Sequence, residues 1–401
     1  MTPEQLVALT EIERQIALMR ALEPPLVVPP TVIQSPANLV NAIATAPDGA
    51  IIDLGGNLYS GPIELTRPIT IRNGALQAPP NTNDIIIITG DRVTLLDLVI
   101  TGDGTTKRGI AANGTNMLFE RIQVRNIRRA AQESNAVAIW NSPGPLTVRD
   151  SVLEGASQSF LAGGSSPTVP NTIPTGLTFE RVTFTRPLEW RNQGFAVKTI
   201  FELKSARNVV VRDCILENMW SGEGQNGIAI SLHPSQYGNS PENIVENVVF
   251  EDNIIRNVGG GASLLGFSQH QNEPGRATLR GNRYYFRRNT WAIDKTLYGG
   301  QGALITLDWE PDTVVWEDNV VTTNGDAFIR LSNLRPTTNF AFRRNEVNRT
   351  GTYGIYAADG NYRGVGWSTY FPGGEMVENT FTNAHSTFRT NFPTNTYVTV
   401  I

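Results

Sequence analysis

One cysteine, Cys214, and three histidines are all that 401 residues carry. A single thiol excludes an intramolecular disulfide framework. Cys214 falls beside a predicted corner, where a small structural role suits it better than chemistry. His233, His270 and His385 show no metal-ligand spacing and no nucleophile motif stands out, so neither a metal nor another cofactor is expected. Charge of one sign is not in excess. The formal net charge of −4 and pI near 5.6 give no overall basic field for nucleic acid. Long apolar runs are missing as well, and none reaches the length that crosses a bilayer. Met1 to Arg20 carries Glu4, Glu11, Glu13 and Arg14 where a secretory signal would have a continuous apolar stretch.

What the chain does have is a repeat. VVFEDNII at Val248 to Ile255 returns about every 30 residues, a period that signals a solenoid. Other copies are LLDLVI at Leu95, LFERIQV at Leu118, LTVRDSVL at Leu146, LTFERVTF at Leu177 and VVVRDCIL at Val209. YYFRRNTW at Tyr284, VVWEDNVV at Val314, FAFRRNEV at Phe340 and EMVENTF at Glu375 follow. Each reads as strand, tight charged or amide corner, strand. A second apolar run follows most copies, for example IFELKSA at Ile200, GIAISLH at Gly227, GALITLDW at Gly302 and DAFIRLS at Asp326. Three short strands per repeat cannot bury their apolar faces alone, so successive repeats must stack in parallel. The chain is expected to be all-β, a parallel β-helix with three strands per coil. Asparagine recurs at the corners, at Asn218, Asn253, Asn257, Asn289, Asn319, Asn345 and Asn379, where it tolerates left-handed backbone and can bond to its stacked neighbours.

The ends differ from this pattern. Residues 1–23 are predicted helical, with Thr2 as N-cap, Pro3 in the first turn, and Leu9, Ile12, Ile16 and Met19 at the 3,4,3 spacing of a coiled-coil seam. That helix suits attachment or oligomerisation. EPPLVVPP, Glu23 to Pro30, cannot continue the helix, and residues 24–35 form a Pro-rich linker. Ala37 to Ala46 predicts a capping helix with Leu39, Val40 and Ile43 on one face, covering the open end of the first coil. The solenoid is assigned to 36–386 and a C-terminal extension to 387–401. Gly155 to Thr175, His233 to Glu246, Ser268 to Asn282 and Asp359 to Gly374 are read as insertions lining a side wall.

The segment ANLVNAIATAPDGAIIDLGGNLYSGPIELTRPITIRNG, followed by V-x-F-x-D/R-N-x-I/V repeats, resembles the right-handed parallel β-helix superfamily of pectate-lyase-like proteins, polysaccharide hydrolases and phage tailspikes. The resemblance spans about Pro36 to Asn383 and implies fold more than activity. Combined with the N-terminal helix and spacer, it implies a virion spike or fibre of phage type, made in a host cytoplasm. Such a protein is expected to be homotrimeric, to dock on other virion proteins through the helix, and to bind bacterial surface polysaccharide, with no nucleic-acid partner and no membrane span. A polysaccharide hydrolase or lyase and a purely structural virion protein are the alternatives.

Alternation along the third strand points Phe201, Leu203, Ile230, Leu232, Ile305, Leu307, Ile329 and Leu331 inward. Glu202, Lys204, Ser231, His233, Thr306, Asp308, Arg330 and Ser332 then face out in two adjacent rows, a polar groove for sugar. Hydrolysis of a glycosidic bond needs two carboxyls about 5–9.5 Å apart, for which Asp308 with Glu310 or Asp326 is the catalytic candidate. The competing reading makes these carboxylates ladder ion pairs, Glu202 with Lys204 and Asp308 with Arg330. Trp220, Tyr237 and Trp309, beside insertions, are candidate sugar-stacking residues alongside Glu202, Lys204, His233 and Arg330. Alternation of sign at Asp252, Arg288, Asp318 and Arg344 favours corner salt bridges over a calcium cluster.

Overall fold

The computed structural model describes residues 31–222, 224–235, 238, 240–331, 335–350, 354–357 and 366–399. The predicted helix 1–23, most of the linker, Tyr237 and Ser332 lie outside these residues. Each coil contributes one strand to each of three parallel ladders, as in Val245–Glu251, Ile254–Val258 and Gly260–Leu265. Every residue of VVFEDNII has one place in this coil. Val248, Phe250, Asn253 and Ile255 are buried inside the tube, and Asp252 is the corner. In the next coil Val248 pairs with Tyr284 and Ile255 with Trp291. Sheet 1 holds the strands before the corner and sheet 2 those after it. The two merge where Ile69–Gln77 and Val93–Thr101 run through the corner unbroken. Sheet 3 closes the tube with eleven strands, from Ile63–Leu65 to Ile355–Ala357. The architecture is a right-handed parallel β-helix.

The corner between sheets 1 and 2 is a single left-handed residue in every coil. Asn73, Asp97, Arg121, Asp150, Arg181, Asp213, Asp252, Arg288, Asp318, Arg344 and Glu378 all have φ between 50° and 60°. The expected corner salt bridges are present. Arg121, Arg181, Arg288 and Arg344 each reach both carboxylate oxygens of Asp97, Asp150, Asp252 and Asp318 one coil earlier. Arg181 thereby holds the Asp150 carboxyl below its ordinary range.

The next residue in each coil turns inward, and its nature changes along the rod. Leu98, Ile122, Ser151, Val182 and Cys214 occupy the early coils; Asn253, Asn289, Asn319, Asn345 and Asn379 the later ones, with Asn395 last. Asn319 Oδ1 accepts from the backbone N–H and the side-chain amide of Asn289, both at 3.0 Å, while its own amide donates to Phe286 O at 2.9 Å. The same three bonds recur at Asn345 and Asn379. Cys214 joins this series: its Sγ lies 3.4 Å from the donating Val182 N–H, and burial pushes its thiol up to about 12. Above the ladder the core stacks aromatics in register, Phe250 on Phe286 at 5.2 Å and Phe286 on Trp316 at 4.2 Å. Each buries apolar area worth about 2–3 kcal/mol.

Three sequence expectations need correction. The capping helix is Leu39–Thr45, and it buries Leu39, Ala42 and Ile43 while Val40 is exposed. At 100° per residue, positions three and four apart share a face and adjacent ones do not. The insertion assigned to Gly155–Thr175 hides a strand, Gln158–Ala162, because its serines are buried and bonded to backbone: Ser159 Oγ donates to Thr185 O. The coil also continues past 386, where helix Ser386–Asn391 buries Phe388 beneath the last turn and Thr396–Val398 pairs with Thr380–Thr382.

Candidate functional site: the outer face of sheet 3

Sheet 3 is the floor of a groove. Insertions rise from both ends of its strands, 164–174, 240–244 and 266–281 at one end, 128–134, 187–199 and 294–303 at the other. The inward residues predicted along these strands are all buried. Outward, the register aligns Ala138, Leu161, Glu202, Ser231, Ser263, Thr306 and Arg330 in one row. Trp140, Gly163, Lys204, His233, Leu265 and Asp308 follow two positions later in the second row. A third row precedes them, Asp84, Arg108, Asn135 and Gln158.

These polar groups are bonded to one another under the insertions. Arg108 pairs with Asp84 and lies over the Trp140 ring, 4.8 Å from its centre. Asn135 donates to Gln158 Oε1 at 2.6 Å, and Gln158 donates to Glu202 Oε2 at 2.5 Å. Lys204 Nζ stands 3.6 Å from Glu202 Oε1. Asn135, Gln158 and Glu202 are buried, and the Lys204 side chain is 12% exposed. Lys198 and Glu133 form an ion pair on the adjoining wall. Between the walls lies a hollow of about 360 Å³ lined by Lys107, Arg108, Asn135, Trp140 and Gly164 over the Ala138 and Leu161 floor. His233 is next along the groove. Burial drives its pKa down to about 4, so its imidazole is neutral at pH 7, and its Nε2 has no hydrogen-bond partner.

The sequence candidates therefore separate into groups. Glu202, Lys204 and His233 lie together on the groove floor. Arg330 and Asp308 share the same face farther along. Asp308 Oδ1 accepts from the Trp309 N–H at 2.9 Å, and Glu310 binds Arg335, whose guanidinium lies over the Trp309 ring at 4.6 Å. Trp309 and Glu310 are consecutive left-handed residues, a strained corner for bulky side chains. Asp326 does not join them. It sits before strand Ile329–Leu331 whereas Asp308 ends strand Ile305–Asp308, so the width of the sheet separates them, and Asp326 pairs with Lys295 at 3.1 Å. Trp220 is not a groove residue either: it is buried in the core beneath the Arg186 guanidinium. An aromatic beside an insertion is not thereby exposed, and Trp220 belongs to the core.

Sequence reasoning missed Trp140, Arg108, Asn135 and Gln158. The signal for Trp140 was available. In AVAIWNS it alternates outward with Ala138, a large ring on a strand whose other outward residue is small. Arg108, Asn135 and Gln158 precede a break in the alternation, as at Ala136 and Val137, which are both in the core, and no periodicity reveals that.

No family model and no curated protein matches the chain. Among solved structures, the crystal structure of an alginate lyase from Paenibacillus sp. str. FPU-7 is similar with a TM-score of 0.50 and 13% identity, covering 82% of this chain and 98% of that one. A polygalacturonase from Erwinia carotovora ssp. carotovora gives 0.48 and 12%, over 94% and 96%. A tailspike protein mutant of E. coli bacteriophage HK620, in complex with pentasaccharide, gives 0.39 and 11%, over 90% and 73%. At such identities the likeness is one of fold.

Proposed function

We propose that the protein binds an acidic polysaccharide along the outer face of sheet 3, as a spike or fibre that attaches a phage-type particle to bacterial surface glycan. The carrying observation is the hollow in which Arg108 is stacked on Trp140 beside buried, mutually bonded amides. A sugar ring offers an apolar face to an aromatic and hydroxyls to amides and carboxylates. The cations Lys107, Arg108 and Lys204 suit a carboxylated sugar. Because the polar groups are already ordered by each other, little side-chain freedom is lost on binding. The test is binding of the purified protein to capsular and other acidic polysaccharides. Trp140→Ala is expected to weaken binding at least about tenfold, about 1.4 kcal/mol, with the melting temperature little changed. Equal affinity of variant and parent would remove the groove from the proposal. The spike role further requires self-association, for which the predicted seam Leu9, Ile12, Ile16 and Met19 is the support, and light scattering that returns a monomer counts against it.

A second reading, cleavage of the bound chain, is favoured by Glu202, Lys204 and a neutral His233 on one stretch of floor. A neutral base beside a cation that balances a carboxylate is what elimination from an acidic sugar requires. Absorbance from an unsaturated sugar reports elimination, and new reducing ends without it report hydrolysis, in which Asp308 with Glu310 is the candidate pair. Activity untouched in Asp308→Asn would exclude that pair, and activity untouched in His233→Ala would exclude the base.

A further inference from the structure

A second hollow lies on the far side of the 164–174 insertion, and none of its lining residues lines the first hollow. It is shallow and open to solvent, of about 590 Å³, a volume in the range of small-molecule sites at about 300–1,000 Å³. Its walls combine three kinds of surface. Pro143, Val169 and Ile173 make an apolar side, and Val169 is 64% exposed. Asn141 and Thr168 make a polar side, fixed by reciprocal bonds: Asn141 Nδ2 donates to Thr168 Oγ1 at 3.0 Å, and the Thr168 N–H donates to Asn141 Oδ1 at 2.6 Å. Arg207 supplies the one cation of the lining. Its Nε stands 2.8 Å from Glu246 Oε1 but too poorly aligned to donate to it, so it keeps an unsatisfied buried N–H.

We propose that this hollow is a separate site for a single acidic sugar unit, of the uronic acid class. One apolar wall fits the C–H face of a pyranose, hydroxyl and amide groups fit its ring hydroxyls, and the Arg207 guanidinium fits its carboxylate. The two hollows stand back to back. Trp140 lines the groove and the next residue, Asn141, lines this pocket; Gly163 and Gly164 edge the groove while Thr168 and Val169 belong to the pocket. The insertion is pinned in place from behind, because the Asn171 N–H donates to Ser240 Oγ and Asn171 Oδ1 accepts from the Glu242 N–H. The pocket is therefore preformed, and it stands on its own lining whether or not the groove takes a polysaccharide.

The test is titration of the full chain with D-glucuronate, D-galacturonate and neutral D-galactose, followed by calorimetry and ligand-observed NMR. At least one uronate is expected to bind at roughly millimolar strength and neutral galactose about tenfold more weakly. Val169→Asp, at an exposed loop position, removes apolar wall and sets a negative charge that repels the carboxylate, and it should abolish uronate binding. Arg207→Gln should weaken it about tenfold. If Arg207→Gln unfolds for loss of its ion pair, Val169→Asp still decides. Trp140→Ala should leave uronate binding intact. The proposal is overturned if neither uronate binds, or if Val169→Asp binds like the parent, or if Trp140→Ala removes uronate binding. Uronate binding that survives Trp140→Ala in a protein that ignores polysaccharide would leave this pocket standing and remove the groove proposal alone.

Discussion

Two polar ladders climb the rod, and they differ in kind. At the corner between sheets 1 and 2, Asn253, Asn289, Asn319, Asn345, Asn379 and Asn395 repeat one side chain with one set of bonds between 2.8 and 3.0 Å. On the outer face of sheet 3 the polar rungs are linked in two runs, Asp84 with Arg108 and then Asn135 through Gln158 and Glu202 to Lys204, and hardly any two are alike. A repeated rung satisfies the same backbone donor in every coil, which is an architectural task. A run of dissimilar rungs satisfies nothing that recurs, and its members instead gather cations, amides and carboxylates along one face, with Arg108 and Asn135 lining the hollow. Uniformity marks scaffold and heterogeneity marks site. The apolar rungs Leu98, Ile122 and Val182 at the same corner add that the fold tolerates a ladder without asparagine, provided the core is packed.

The sharpest way to break this comparison is Asn319→Leu. It removes the acceptor of two Asn289 donors and leaves Phe286 O without that amide, all in a buried corner. With buried polar groups costing about 1–3 kcal/mol each when unpaired, a loss of about 3–5 kcal/mol in denaturant unfolding is expected, with polysaccharide affinity unchanged in the folded fraction. A loss below about 1 kcal/mol would deprive the ladder of its architectural role.

Acid separates the two faces next, since the asparagine ladder does not titrate and His233, beside Lys204 on the outer face of sheet 3, does. Its folded pKa of about 4 lies below the ordinary value of 6.5, chiefly through burial; the Glu202 charge opposes the shift, and Lys204 and His270 reinforce it. The unfolded chain takes up a proton first as pH falls. The stability that neutral His233 supplies is thus complete above pH 6.5 and disappears progressively between 6.5 and 4, to a total of about 3 kcal/mol. Urea unfolding at pH 7 and pH 4.5 is expected to show a smaller difference for His233→Gln than for the parent. An identical acid response in both proteins would show that the imidazole is solvated.

The smallest effect belongs to the corner ion pairs. Arg344 and Asp318 are bidentate, but their side chains are 42% and 41% exposed. Such pairs contribute between nothing and about 1 kcal/mol, so Arg344→Gln should shift unfolding by no more than that, and less at high salt. A loss above about 1.5 kcal/mol would make this row a third structural ladder.

Much of the fold could be read from VVFEDNII and its copies. Period-two alternation says which residues enter the tube, and each corner is marked by one left-handed residue, mostly Asp or Arg. The Asn expected to be left-handed at Asn253, Asn289, Asn319, Asn345 and Asn379 instead follows that residue, and its recurrence comes from the buried ladder. The outward facing of Glu202, Lys204, His233 and Asp308 was legible for the same reason. Asp326 and Trp220 went astray because chain proximity to a strand end or an insertion says nothing of which end of the sheet, or which side of an insertion, a side chain occupies. Val40 was misplaced by counting apolar neighbours where helical angle decides.

By itself, the sequence determined the winding, the faces of the strands and the asparagine rungs, because these depend on local periodicity repeated coil after coil. Only the tertiary structure decided that Arg108, Trp140, Gln158, Glu202 and Lys204 share one stretch of the outer face of sheet 3, where Arg108 and Trp140 line the hollow. They come from four different coils, brought side by side by a strand spacing of about 4.8 Å, and a facing switch ahead of Ile110 and Phe160 turns three of the strands' first residues outward. Such neighbours are fixed by stacking register, which no single coil encodes.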